Sequence, residues 1–255
     1  MKLEITNASY STALTFELVT QYGFQILGAP AFPSLQEEAF FQADLKKPTI
    51  PVFIQYKLGE YFIGNTSALK DYWGVPYYRF LIQSKNNDRK HQLLLNLEAM
   101  KQLVFYTAPE FHTLNEFYRH LMQRALLDQS TFCYPREIGI LSDDKRYSLS
   151  YKHEVSYGLL QPGNLKVDGL IKGDMLLNII KQNFEANQAK DYNNDKLLRF
   201  GDEMLENYLK VFHAPEQREL VEDIKRGREH IDPRDYLSLI SILLYDCYVY
   251  MISME

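Results

Sequence analysis

The sequence predicts a mixed α/β fold with a mostly helical C-terminal part, and three features predict it. Short apolar runs bounded by Gly, Pro and Asn alternate with helix-period segments over roughly the first 110 residues. From about Lys172 onward, four segments keep helical spacing, broken at Asp191-Tyr-Asn-Asn-Asp195 and at Asp232-Pro233. No internal repeat, glycine-rich phosphate loop or low-complexity tract stands between the two regions.

The first helix is expected over 8–22, with Ser9, Ser11 and Thr12 as cap candidates and Gly23 closing it. Glu17 lies on it among apolar neighbours. A short strand follows over 24–27, then extended chain through Ala31-Phe-Pro-Ser34. Two strand-like runs come next, 38–45 and 52–58, separated by the turn residues Lys46-Lys-Pro-Thr49. Residues 78–82 read as another strand. The loop Ser84-Lys-Asn-Asn-Asp-Arg-Lys90 leads to a helix over 91–100, and 103–107 is a buried-strand signature closed by Ala108-Pro109. Later, 114–127 is expected as an amphipathic helix and 146–151 as a strand. Helices are expected over 175–189, 196–212, 216–230 and 236–254. The last is apolar nearly all round, which calls for burial against the preceding helices or across a homodimer.

Composition bounds the function. Apolar residues make up 46% and aromatic residues 14%, including 19 tyrosines and 15 phenylalanines, enough for a sizeable core. A net charge of −5 argues against a stand-alone nucleic-acid binder, although a local basic channel remains compatible with it. Cys133 and Cys247 stand far apart with no CxxC spacing, which points to a reducing compartment and away from structural zinc. The N-terminus lacks the pattern of a signal peptide, and no run makes a convincing membrane span. The expected location is cytoplasmic.

The two runs around Lys46–Thr49 carry the chemistry. Period-2 alternation puts Asp44 opposite the apolar face of Phe41, Ala43 and Leu45. On the next run it puts Phe53, Gln55 and Lys57 on one face. Paired as a hairpin, the runs would bring a carboxylate, an amide oxygen and an ammonium together. Such groups are seldom buried without partners. Asp44 and the Gln55 oxygen suit a hard cation such as Mg²⁺, and Lys57 could then orient water and offset phosphate charge. An Asp44–Lys57 cross-strand pair is the plainer alternative. His112 and His120 are eight positions apart, a spacing that matches no ligand pattern.

With its order of helix, strand, strand, strand, helix, strand, the stretch 8–110 resembles the PD-(D/E)xK, or restriction-endonuclease-like, nuclease superfamily. The nearest pattern is the Mrr-like D…QxK variant. The resemblance implies a central mixed sheet flanked by helices and DNA cleavage dependent on Mg²⁺ or Mn²⁺. It implies active-site roles for Asp44, Gln55 and Lys57, with Glu17 matching a helical glutamate of the metal or water shell. Glutamine replaces the second acidic ligand, and Glu38 could compensate only if its strand bends. Lys85, Arg89, Lys90 and His91 form a nucleic-acid-binding candidate set. On this reading 1–125 is a nuclease-like core, 126–171 a mixed extension and 172–255 a helical subdomain. A restriction or antiphage role follows by analogy, with a partner protein supplying targeting or activation. The other reading is a catalytically silent scaffold that binds a partner through its C-terminal helices.

Overall fold

A computed structural model describes residues 3–22, 25–27, 48–63, 69–83, 89–153, 155–188, 190 and 192–253. In chain order the elements begin with α1 (Asn7–Tyr22), β1 (Gln25–Leu27), β2 (Ile50–Tyr56), β3 (Gly59–Phe62), α2 (Lys70–Trp73), β4 (Tyr77–Gln83) and α3 (Lys90–Ala99). Next come β5 (Leu103–Pro109), α4 (Leu114–Gln123), β6 (Ser130–Cys133), α5 (Pro135–Ile138), β7 (Tyr147–Tyr151), β8 (Tyr157–Gln161) and β9 (Leu165–Asp168). The chain finishes with α6 (Gly173–Asn183), α7 (Asn194–Val211), α8 (Pro215–Gly227), α9 (Pro233–Tyr245) and β10 (Tyr248–Ser253). The fold is mixed α/β. It divides into two units, and the chain crosses between them more than once.

The first unit comprises 1–22, 56–91 and 105–178. Its sheet runs β3-β4-β7-β8-β9, every neighbour antiparallel. Gly59 at the start of β3 is required by close approach, because a Cβ there would lie 2.4 Å from the Arg79 carbonyl oxygen. A second antiparallel pair joins β5 and β6 through Tyr106↔Cys133 to Pro109↔Ser130. Helix α1 buries Tyr10, Leu14 and Leu18, an i, i+4, i+8 stripe. Helix α4 opens on a capping box of Thr113 and Glu116, which satisfies two orphan amides at once. It stops at Gln123, short of the expected 127, because Arg124 turns left-handed at φ 52° and donates its N–H to the His120 and Leu121 carbonyls.

The second unit comprises 23–55, 92–104 and 179–255. Here the chain differs most from expectation. Residues 236–254 do not form one helix: α9 ends at Tyr245, and β10 follows after two residues. Asp246 takes the left-handed conformation at φ 54°, and the Cys247 N–H donates to the Ser241 carbonyl, closing the helix. The run Tyr248-Val-Tyr-Met-Ile is aromatic and β-branched, which suits a strand. It lies between β1 and β2, antiparallel to both, with register Tyr248↔Ile54 to Ile252↔Ile50 on the β2 side. Its apolarity on both faces is that of a sheet interior. Tyr250 is buried, as expected, whereas Leu243 on α9 is 56% exposed.

Helices α7 and α9 pack closely at Gly201, where a Cβ would meet the Tyr236 ring at 2.7 Å. The Tyr236 hydroxyl donates to Asp202, and the Tyr245 hydroxyl donates to the Met204 carbonyl. Each buried phenol thus reaches an acceptor on the facing helix.

Candidate active site

Strand β2 carries the motif, but its surroundings differ from an amphipathic hairpin. All seven residues are buried, so it is covered on both faces. Its partner over Ile50–Ile54 is β10; the 38–45 run expected there lies outside the described residues, and Asp44 and Glu38 with it.

Gln55 is 2% exposed. Its Nε2 faces two acceptors, the Tyr245 carbonyl at 3.4 Å and Asp246 Oδ2 at 3.3 Å. Two acceptors on one side fix the amide orientation, so the carbonyl oxygen points away from them. That oxygen is the atom a hard cation takes from glutamine. Asp246 is therefore a carboxylate neighbour of the motif that sequence reading placed inside a helix.

In the first unit, Lys57 follows β2 and is half-buried. Its N–H donates to the Thr107 carbonyl of β5, and its ammonium stands 5.5 Å from the centre of the Tyr106 ring. The Tyr106 hydroxyl lies 2.8 Å from His91 Nδ1, and His91 Nε2 lies 2.7 Å from the Gly139 carbonyl. A carbonyl only accepts, so Nε2 carries the proton and Nδ1 accepts from the phenol. Burial lowers the His91 imidazole to about 4; the Gly139 bond opposes this, and the Lys57 charge adds to it.

His91 is thus corrected: at 1% exposure and with both nitrogens bonded, it is a neutral core residue and cannot touch phosphate. Of the other members of that set, Arg89 pairs with Asp143 at 2.9 Å, Lys90 is exposed at the start of α3, and Lys85 lies outside the described residues.

Glu17 is 3% exposed, on the buried stripe of α1. Its two oxygens accept the backbone N–H groups of Leu126 and Leu127, both at 2.9 Å. Burial raises its carboxyl; these two bonds oppose the rise, and Asp128 adds to it. In this arrangement its carboxylate ties α1 to the turn after α4. Among the described residues no group of three or more His, Cys, Asp or Glu is placed to hold a metal ion. Of the expected ligands that are described, Gln55 turns its Nε2 toward Tyr245 and Asp246, and Glu17 is committed to backbone amides.

Comparison with family models, with curated proteins and with solved structures returned no match.

A further charged cluster in the first unit has no counterpart in the motif. The Glu110 side chain is fully buried, and its carboxylate receives the Lys172 ammonium and, at 2.6 Å, His153 Nδ1. These partners lie 43 and 62 positions away, beyond the reach of any local pattern. Such pairing is what a buried carboxylate requires, so the cluster holds β5 to the segments around His153 and Lys172.

Proposed function

We propose that this chain is a metal-dependent nuclease that hydrolyses DNA phosphodiester bonds. Asp44 and Gln55 would hold Mg²⁺ or Mn²⁺, and Lys57 would serve as the catalytic cation. The observation that supports this most is the position of Lys57. An ammonium directly follows a fully buried strand and stands half-buried over an aromatic ring, beside a histidine kept neutral. A charge held in that way is already oriented, so little reorganisation is needed to stabilise a developing negative charge. When bound, the cation would supply Lewis-acid polarisation and an activated water. Gln55 contributes a neutral oxygen whose direction is fixed by Tyr245 and Asp246. A role as effector in restriction or antiphage defence follows from the family resemblance alone. Incubating the protein with plasmid DNA, with and without Mg²⁺, tests the proposal. Gln55→Ala removes that oxygen and should raise the Mg²⁺ concentration needed for cleavage; cleavage that ignores both metal and this substitution would exclude the assignment.

A second reading rests on a different observation. Both oxygens of Glu17 are engaged by backbone amides, as in a protein that keeps the architecture without the chemistry. Such a chain would bind a partner protein through its C-terminal helices, where Leu220 and Leu243 are exposed. Intact DNA in every metal tested, together with a partner retained by the parent but lost on Leu243→Asp, would favour it. Among the described residues no helix is long and apolar enough to cross a membrane.

A further inference from the structure

The first unit contains a cleft of about 680 Å³ that opens immediately after Lys57, with Leu58 and Gly59 in its lining. Its apolar lining residues include Leu3, Ile5, Leu58 and Leu81. Arg79, Arg146 and Ser148 contribute polar groups, with Glu60 beside Arg79. The sheet register explains the grouping: Glu60 lies opposite Arg79 and Leu81 opposite Ser148, so these four project on one face across β3, β4 and β7. Arg146 precedes β7 and is exposed.

The guanidinium of Arg79 lies 4.5 Å from the Phe62 ring, and one of its nitrogens donates to Glu60 at 2.6 Å. A guanidinium carries five donors in a planar fork, so this pairing leaves it able to meet a second anion. Among the described residues no carboxylate pairs with Arg146. Two arginines against one glutamate leave the cleft with a positive balance, on a chain whose net charge is −5. Apolar residues lining the same cleft as two guanidinium groups suit a ligand with a planar body and a phosphate. The volume is ample for one nucleotide unit.

We propose that this cleft binds a nucleotide unit of a nucleic-acid strand, with its phosphate on Arg79 and Arg146 and its base or sugar against the apolar lining residues. The phosphate chemistry stands on the cleft alone; the choice of a strand over a free nucleotide rests on the nuclease reading. The test measures binding without metal, so that it is independent of cleavage. Fluorescence anisotropy would follow labelled single-stranded and duplex DNA of about 15 nucleotides at low salt in EDTA, with an unlabelled mononucleotide as competitor.

Arg146→Gln should weaken strand binding about tenfold and reduce the salt slope by about one. Arg146→Glu should weaken it further. The Arg146 side chain is exposed, and an unchanged melting temperature would confirm intact folding. Lys166→Gln removes a positive charge paired with Asp168 elsewhere on the unit and should leave binding within about twofold. Parent protein that binds neither oligonucleotide, or Arg146 variants that bind as the parent does, would overturn the proposal. Competition by mononucleotide at the same nucleotide concentration would overturn the strand assignment in favour of a free-nucleotide site. Intact binding with no cleavage in Mg²⁺ would keep the cleft and remove the nuclease reading.

Discussion

Replacing Glu17 separates its structural role from a catalytic one. Its carboxylate receives two backbone N–H groups, those of Leu126 and Leu127, each at 2.9 Å, and both leucines are fully buried. Glu17→Ala removes both acceptors where water cannot replace them. An unsatisfied buried donor costs about 1–3 kcal/mol, so two cost about 2–6 kcal/mol. Relief of the buried charge, which raises the carboxyl in the folded state, returns part of that, and a net loss of about 3 kcal/mol is expected. Glu17→Gln keeps one carbonyl acceptor and removes the charge, so it should cost about 1 kcal/mol. Global stability can be read from urea unfolding. Native-state hydrogen exchange reads the local effect: protection of the Leu126 and Leu127 amides should fall roughly 10²-fold in the alanine variant, at 1.4 kcal/mol per tenfold. An alanine variant as stable as the parent, with both amides still protected, would refute the reasoning and return Glu17 to the candidate active site.

Two further outcomes follow from buried groups. His91 titrates at about 4 in the folded chain against 6.5 in an unfolded one, so the fold favours the neutral ring. That stability is present above pH 6.5 and is lost as pH falls from there toward 4. The loss is about 2 kcal/mol by pH 5, and an unfolding series of parent against His91→Gln checks it, since only the parent should show the extra slope. Tyr250→Asp places a carboxylate at a position 1% exposed between two strands and should unfold the second unit, read as lost far-UV ellipticity; a soluble variant with the parent's spectrum would contradict the place of β10.

Much of the architecture was legible where a single pattern decided it. Helix α1 shows in the spacing of Tyr10, Leu14 and Leu18, and β4 and β5 show as short apolar runs ended by polar or proline-containing stretches. The C-terminal segment was not legible, because a run apolar on every side fits a buried strand as well as a buried helix. The break at Tyr245-Asp-Cys247 was the available signal, with the aromatic and β-branched run after it. Of the candidate site, Gln55 was legible as a polar residue in an apolar strand and Lys57 as a charge at the end of that run. Their neighbours were not: Asp246 meets Gln55 from 191 positions away, and His91 turns inward to Tyr106 and Gly139. Sequence spacing shows which face of an element a residue occupies, and only the assembled fold shows what covers that face.

The most direct test of the nuclease assignment is nicking of supercoiled plasmid by parent, Lys57→Ala and Asp44→Ala proteins in Mg²⁺ and in EDTA. The parent should cleave only with the metal. Lys57→Ala should fold normally and lose about 10²- to 10³-fold in rate, the usual cost of removing one preorganised electrostatic group. Asp44→Ala should lose at least as much. Plasmid left intact by the parent in Mg²⁺, or cleaved by both variants at the parent's rate, would contradict the assignment.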